Sequence, residues 1–221
     1  MAKSTSVKNF TKIGLAVAVL SVGVATSSSA NAAVLLQDNF DAEPLQLNYN
    51  GFANWNVTGG TVDLIGNPGF FNFLPGNGRY VDLDGSTSNA GKLESKTLFS
   101  FNVGDVINLT FDLAGDQRNN GLNSVVVSLG SLLNETFVLP STQGFTSITR
   151  TITVASATTA NLAFEGIGGD NIGLILDDVS LTSTPTSTSV PEPASLIGLL
   201  GLGAFGITSK LKRQQKQQVN G

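Results

Sequence analysis

A strict alternation of apolar and polar side chains over Ile107-Asn108-Leu109-Thr110-Phe111-Asp112-Leu113 constrains the fold of this chain more than any other feature. Successive side chains of an extended strand point to opposite faces, so Ile107, Leu109, Phe111 and Leu113 share one face. One face belongs to a core and the other to water. Residues 147–154 repeat the pattern, with Ile148, Ile152 and Val154 apolar and three threonines between; Arg150 falls on the apolar register and interrupts it. Further strand candidates are residues 34–40, 55–57, 61–65, 80–83, 92–99, 124–129, 135–139, 161–164 and 174–181. Turn signals separate them: Gly59-Gly60, Asn67-Pro68-Gly69, Pro75-Gly76-Asn77-Gly78, Asp84-Gly85, Asn119-Asn120-Gly121 and Gly168-Gly169-Asp170. So many short strands, with no helix expected before residue 194, predict an all-β fold, a two-sheet jelly-roll sandwich.

Composition narrows the chemistry. The 221 residues leave room for one domain and processing segments. Cysteine and histidine are both absent. That excludes disulfides, thiolate nucleophiles, Ser-His-Asp triads and the usual zinc ligand sets. Seven of the twelve basic residues lie at the two ends. Residues 33–190 hold five basic and fifteen acidic residues, a net charge of −10. Such a domain repels nucleic acid and suits a cation or solubility outside the cell.

Both ends read as addresses. Residues 1–32 have the three parts of a secretory signal peptide: Lys3, Lys8 and Lys12, an apolar run over 13–24, and Ala30-Asn31-Ala32 for a signal peptidase cutting before Ala33. The ectodomain is then expected over 33–182 and a Ser/Thr/Pro linker over 183–189. Pro191 and Pro193 favour extended geometry and lack backbone donors, as suits a peptide docking in a protease groove. The apolar run over about 194–209 is expected to be a single C-terminal transmembrane helix. With its flanks it reaches roughly 28 Å, close to the hydrocarbon thickness. Lys210, Lys212, Arg213 and Lys216 follow, which places the polar 214–221 tail in the cytoplasm.

Val190-Pro191-Glu192-Pro193-Ala194-Ser195, the apolar helix and Lys-x-Lys-Arg together resemble the PEP-CTERM sorting signal over residues 190–213. No Leu-Pro-x-Thr-Gly pattern of the Gram-positive sortase signal is present. The resemblance implies recognition by an exosortase-type transpeptidase and a sorting motif formed by Val190, Pro191, Glu192 and Pro193. It also implies transient membrane anchorage, then transfer to the cell surface or an extracellular, polysaccharide-rich layer.

In the middle of the chain, Asp38-Asn39-Phe40-Asp41-Ala42-Glu43, Trp55-Asn56-Val57, Tyr80-Val81-Asp82-Leu83-Asp84-Gly85, Leu109-Thr110-Phe111-Asp112-Leu113-Ala114-Gly115 and Leu176-Asp177-Asp178-Val179-Ser180-Leu181 follow one another. In that order they resemble the galactose-binding-like jelly rolls of carbohydrate-binding modules. The resemblance implies a structural calcium held by Asp41, with Glu43 as a possible companion, and by Asp178. Loop carbonyls would complete the six to eight oxygens calcium needs. The alternative reading is solvated carboxylates at strand ends. Adjacent Asp177 and Asp178 point to opposite faces of a regular strand, so both reach one site only through a bulge.

Sugar recognition employs aromatic rings, and here Tyr49, Phe71 and Phe73, with Arg79 beside the 66–78 loop, are the candidate ligand residues. Phe70, Phe71 and Phe73 form either a buried loop plug or an exposed ligand surface. Trp55 reads as core. Asp82 and Asp84, two positions apart on one strand, have a spacing compatible with a glycosidase pair, but nothing else marks them. Asp63, Asp112 and Glu165 read as polar residues on wet strand faces. The expected function is a non-enzymatic exported surface or matrix protein that binds glycans. The alternatives are a purely structural matrix protein and a carboxylate-dependent glycoside hydrolase.

Overall fold

The computed structural model describes residues 31–69 and 71–186. Thirteen strands are present among them: β1 (Ala33–Asp38), β2 (Trp55–Thr58), β3 (Asp63–Gly66), β4 (Arg79–Asp82), β5 (Lys92–Ser95), β6 (Phe99–Phe101), β7 (Val106–Ala114), β8 (Leu122–Leu129), β9 (Leu133–Pro140), β10 (Thr146–Thr153), β11 (Thr158–Ala160), β12 (Leu162–Ile167) and β13 (Ile175–Thr184). One sheet runs β10-β7-β13-β4-β3, with β1 added to β13; the second runs β2-β5-β12-β8-β9. β6 and β11 form a small separate ribbon. The strand pairs within these sheets are antiparallel. The expected all-β, two-sheet architecture is the observed one.

Alternation explains the packing. In β7, Ile107, Leu109, Phe111 and Leu113 are fully buried, while Asn108, Thr110 and Asp112 lie on the other face. Aromatic rings join the sheets where Phe111 of β7 meets Phe164 of β12 edge-on at 5.2 Å; within the second sheet, Trp55 of β2 meets Phe164 at 5.9 Å. Each buried ring contributes about 2 kcal/mol by its removal from water, and the edge-on geometry adds roughly 1 kcal/mol per pair. Trp55 is completely buried, as its strand position implied.

Two boundaries and one burial differ from expectation. Residues 92–99 divide into β5 and β6, because Ser95 Oγ donates to the Thr97 carbonyl and Asn161 Nδ2 binds the carbonyls of Ser95 and Thr97. The chain thereby turns at Lys96. Ser183 and Thr184, expected in the linker, belong to β13, since β7 on one side pairs with both and β1 on the other with Ser183. Asp63 is buried rather than on a wet face, and it accepts bonds from the Asn48 amide and from the Ser86 amide and hydroxyl.

The signal peptide up to residue 30, the sorting motif Val190–Pro193, the 194–209 helix, the 214–221 tail and Phe70 lie outside the described residues. Among the described residues no helix is long and apolar enough to cross a membrane.

Candidate functional site

β13 changes partner midway, and that creates a cleft. Ile175 and Leu176 pair with Asp82 and Val81 of β4, whereas Val179 to Ser183 pair with β1. Between these contacts the register with β7 shifts, from Asp177↔Asp112 to Ser180↔Thr110. Asp178 has a φ of 48°, the left-handed conformation of a bulge. The bulge lets Asp177 and Asp178 line the same cleft.

β1 supplies the opposite wall. Its last residue, Asp38, accepts the Phe40 amide, and the chain turns so that Phe40 enters the core and Asp41 leaves it. Asp41 Oδ1 accepts the Arg79 amide at 2.8 Å. A Cβ at Gly78, where φ is 71°, would stand 2.2 Å from that oxygen, so only glycine lets the backbone pass. The result is a cleft of about 290 Å³ walled by Asn39, Asp41, Gly76, Asn77, Gly78, Asp112, Phe145, Asp177 and Asp178.

Four carboxylates and no basic side chain line this cleft. Burial pushes the Asp177 carboxyl up to about 8, with repulsion from Asp178, Asp41 and Asp112 adding to it. Asp178 is raised by burial and then by Asp112 and Asp41. Such a cleft favours protons or a cation. Its side-chain donors are oxygens apart from the two asparagine amides, and oxygen donors suit a hard divalent ion such as calcium and not zinc. Among the described residues no group of three carboxylates already stands close enough together to hold an ion. A cation would therefore have to draw them inward.

The 66–78 loop carries the aromatic candidates. Phe71 is 52% exposed and stacks on Phe73 at 5.8 Å with planes 26° apart. Tyr80 is buried beneath the loop; its hydroxyl accepts the Leu74 amide and donates to the Phe71 carbonyl. Arg118, from the loop between β7 and β8, places its guanidinium 4.9 Å from the centre of the Phe73 ring.

Of the ligand residues expected from sequence, Phe71 and Phe73 stand together and Tyr49 does not join them. Tyr49 is only 8% exposed, packed edge-on against Phe52 at 4.6 Å, with its hydroxyl donating to Glu43. It presents no ring face for stacking. Arg79 is tied down by the Glu43 carbonyl and Asp41. Arg118 carries no signal in the sequence, since nothing in Asp116-Gln117-Arg118-Asn119 marks it as more than a polar turn. Asp82 and Asp84 are both buried: Asp82 pairs with Arg118, and Asp84 accepts the Asp170 amide. They serve as anchors of loops, not as a pair across an open cleft.

Residues 189–213 match the model of the PEP-CTERM protein-sorting motif. The chain carries this sorting signal. It implies export and processing by an exosortase, through a membrane-anchored sorting segment. No curated protein matches the chain. Among solved structures, the chain is similar to the CBM22-1–GH10 modules of Clostridium thermocellum xylanase 10B complexed with xylohexaose, at 15% identity and a TM-score of 0.42, covering 70% of this chain and 29% of that one. It is also similar to the C-terminal CBM6 of a Zobellia galactanivorans laminarinase, LamC (15%, TM-score 0.39, covering 69% and 99%). A third likeness is to the CBM22-1 xylan-binding domain of Paenibacillus barcinonensis Xyn10C (12%, TM-score 0.44, covering 72% and 99%). All three likenesses are distant.

Proposed function

We propose that the protein is an exported, non-enzymatic β-sandwich that binds glycans at the cell surface or in the extracellular matrix. The observation that carries this reading is the aromatic loop: a stacked Phe71–Phe73 pair, half exposed, on a domain sent outside by its own sorting signal. A pyranose presents a C–H face that packs on such a ring, and backbone and asparagine groups of the loop can serve its hydroxyls. Purified residues 33–186 on a glycan array, with calcium, test it. Binding to the producing cell's own polysaccharide that is lost in Phe71→Ala and Phe73→Ala supports the proposal; no binding to any glycan ends it.

A calcium ion at Asp41 and Asp178, with Asp177 and Asp112 beside them, is part of the proposal. The mutual repulsion of these carboxylates motivates it. A melting temperature that is the same in calcium and in chelator would remove the ion.

A purely structural matrix role is the second reading, favoured by the burial of Trp55 and Tyr49. It expects loss of matrix cohesion on deletion without measurable sugar affinity. Surface delivery is checked by mass spectrometry of the mature C-terminus in cells with and without the sorting enzyme. A mature chain still ending at Gly221 would contradict it.

A further inference from the structure

Three loops that are remote in sequence meet at one side chain. Arg118 Nη2 donates to Asp82 Oδ2 at the end of β4, and Nη1 donates to the Asn171 carbonyl at 2.9 Å. Its guanidinium lies against the ring of Phe73. Asp82 in turn is only 2% exposed, and its other oxygen accepts the amides of Asp84 at 3.1 Å and Gly173 at 2.9 Å. The pair thus ties the aromatic loop, the 115–121 loop and the 168–173 loop to the end of β4.

We propose that Arg118 is the residue that sets the posture of the Phe71–Phe73 loop, and that its pairing with Asp82 makes this posture depend on pH. An ionised Asp82 gives Arg118 its hydrogen-bonded counter-charge, with Asp116 farther off at 3.9 Å; a protonated Asp82 removes that nearer partner and leaves the guanidinium better hydrated in solvent. With Arg118 gone, Phe73 loses its cation contact and the loop one of its ties to the sheet. The surroundings favour switching near neutrality. Around Asp82 stand Asp63 on β3, Asp116 in the 115–121 loop, and Asp84 with Asp170 beyond it; β13 places Ile175 opposite, with Asp177 two positions on. Burial pushes the Asp82 carboxyl up to about 7, and Arg118 keeps it from rising further. The clasp is closed above that pH and open below it. This inference concerns the loop itself and holds whether or not the loop binds glycan.

The test is nuclear magnetic resonance on the full-length chain in detergent micelles, titrated from about pH 5 to about pH 9. The Asp82 side-chain carboxyl carbon, the Arg118 Nε–Hε signal and the Phe73 ring signals are expected to shift together, with one midpoint near neutrality. Asp82→Asn is expected to leave Arg118 and Phe73 in the open position at all pH values, and Arg118→Gln to remove the Phe73 shift while Asp82 still titrates. A Phe73 signal indifferent to pH in the unmodified protein overturns the proposal without recourse to any variant. So does a Phe73 midpoint that survives in Asp82→Asn.

Discussion

Arg150 shows how much a single residue can signal and how much it can hide. It sits on the apolar register of β10, yet it is held at the sandwich rim by Glu135 of β9, at 2.7 and 2.5 Å, with its guanidinium 5.1 Å from the Phe137 ring. The break in alternation was visible along the chain; the partner, on another strand of the other sheet, was not. The pair is over a third exposed on the Glu135 side, so Arg150→Ala is expected to cost only about 1 kcal/mol in urea unfolding. Asp177 is a different case, because it is 4% exposed. Its carboxyl is raised in the fold, so its favourable contribution is complete below about pH 4 and is lost as pH rises through about 8. In chelator the melting temperature is expected to fall between about pH 4 and about pH 8, with Asp82 contributing to the same fall up to about pH 7. Asp177→Asn should remove much of it and raise the melting temperature by several degrees at the alkaline end. A flat wild-type profile would contradict the assignment.

At the scale of elements, most strands were legible because each has one wet and one dry face. The ends of strands were not, because they depend on bonds to distant residues. Asp38 closes β1 by accepting Asn54 Nδ2 at 3.0 Å and the indole of Trp55 at 2.9 Å. Asp38→Ala leaves the buried indole N–H unpaired and is expected to cost about 2 kcal/mol; chemical unfolding of the purified domain measures it. The same dependence on partners accounts for the split of β5 from β6 at Ser95 and for the extension of β13 through Thr184. The bulge at Asp178 belongs here too. Two adjacent aspartates on a regular strand face opposite ways, and the change of partner from β4 to β1 is what turns both to one cleft.

For the whole molecule, Phe164 carries a ring contact that spans the two sheets, to Phe111, and another within its own sheet, to Trp55. Phe164→Ala, which leaves a void between both neighbours, is expected to cost about 4 kcal/mol and to lower the melting temperature by roughly ten degrees. The proposed calcium, by contrast, would act at the rim. Saturating calcium is expected to raise the melting temperature of the unmodified domain and to leave that of Asp178→Asn nearly unchanged, which calorimetry can read directly. From sequence alone came the all-β class, the exclusion of His and Cys chemistry and the sorting signal at the C-terminus, since each rests on local periodicity, composition or a contiguous motif. The tertiary structure alone decided that Tyr49 is buried, that Arg118 and not Arg79 lies against Phe73, and that Asp41, Asp112, Asp177 and Asp178 share one cleft. Those outcomes depend on which strands become neighbours. Asp41 and Asp178, 137 positions apart, meet there only because β1 and β7 both flank β13.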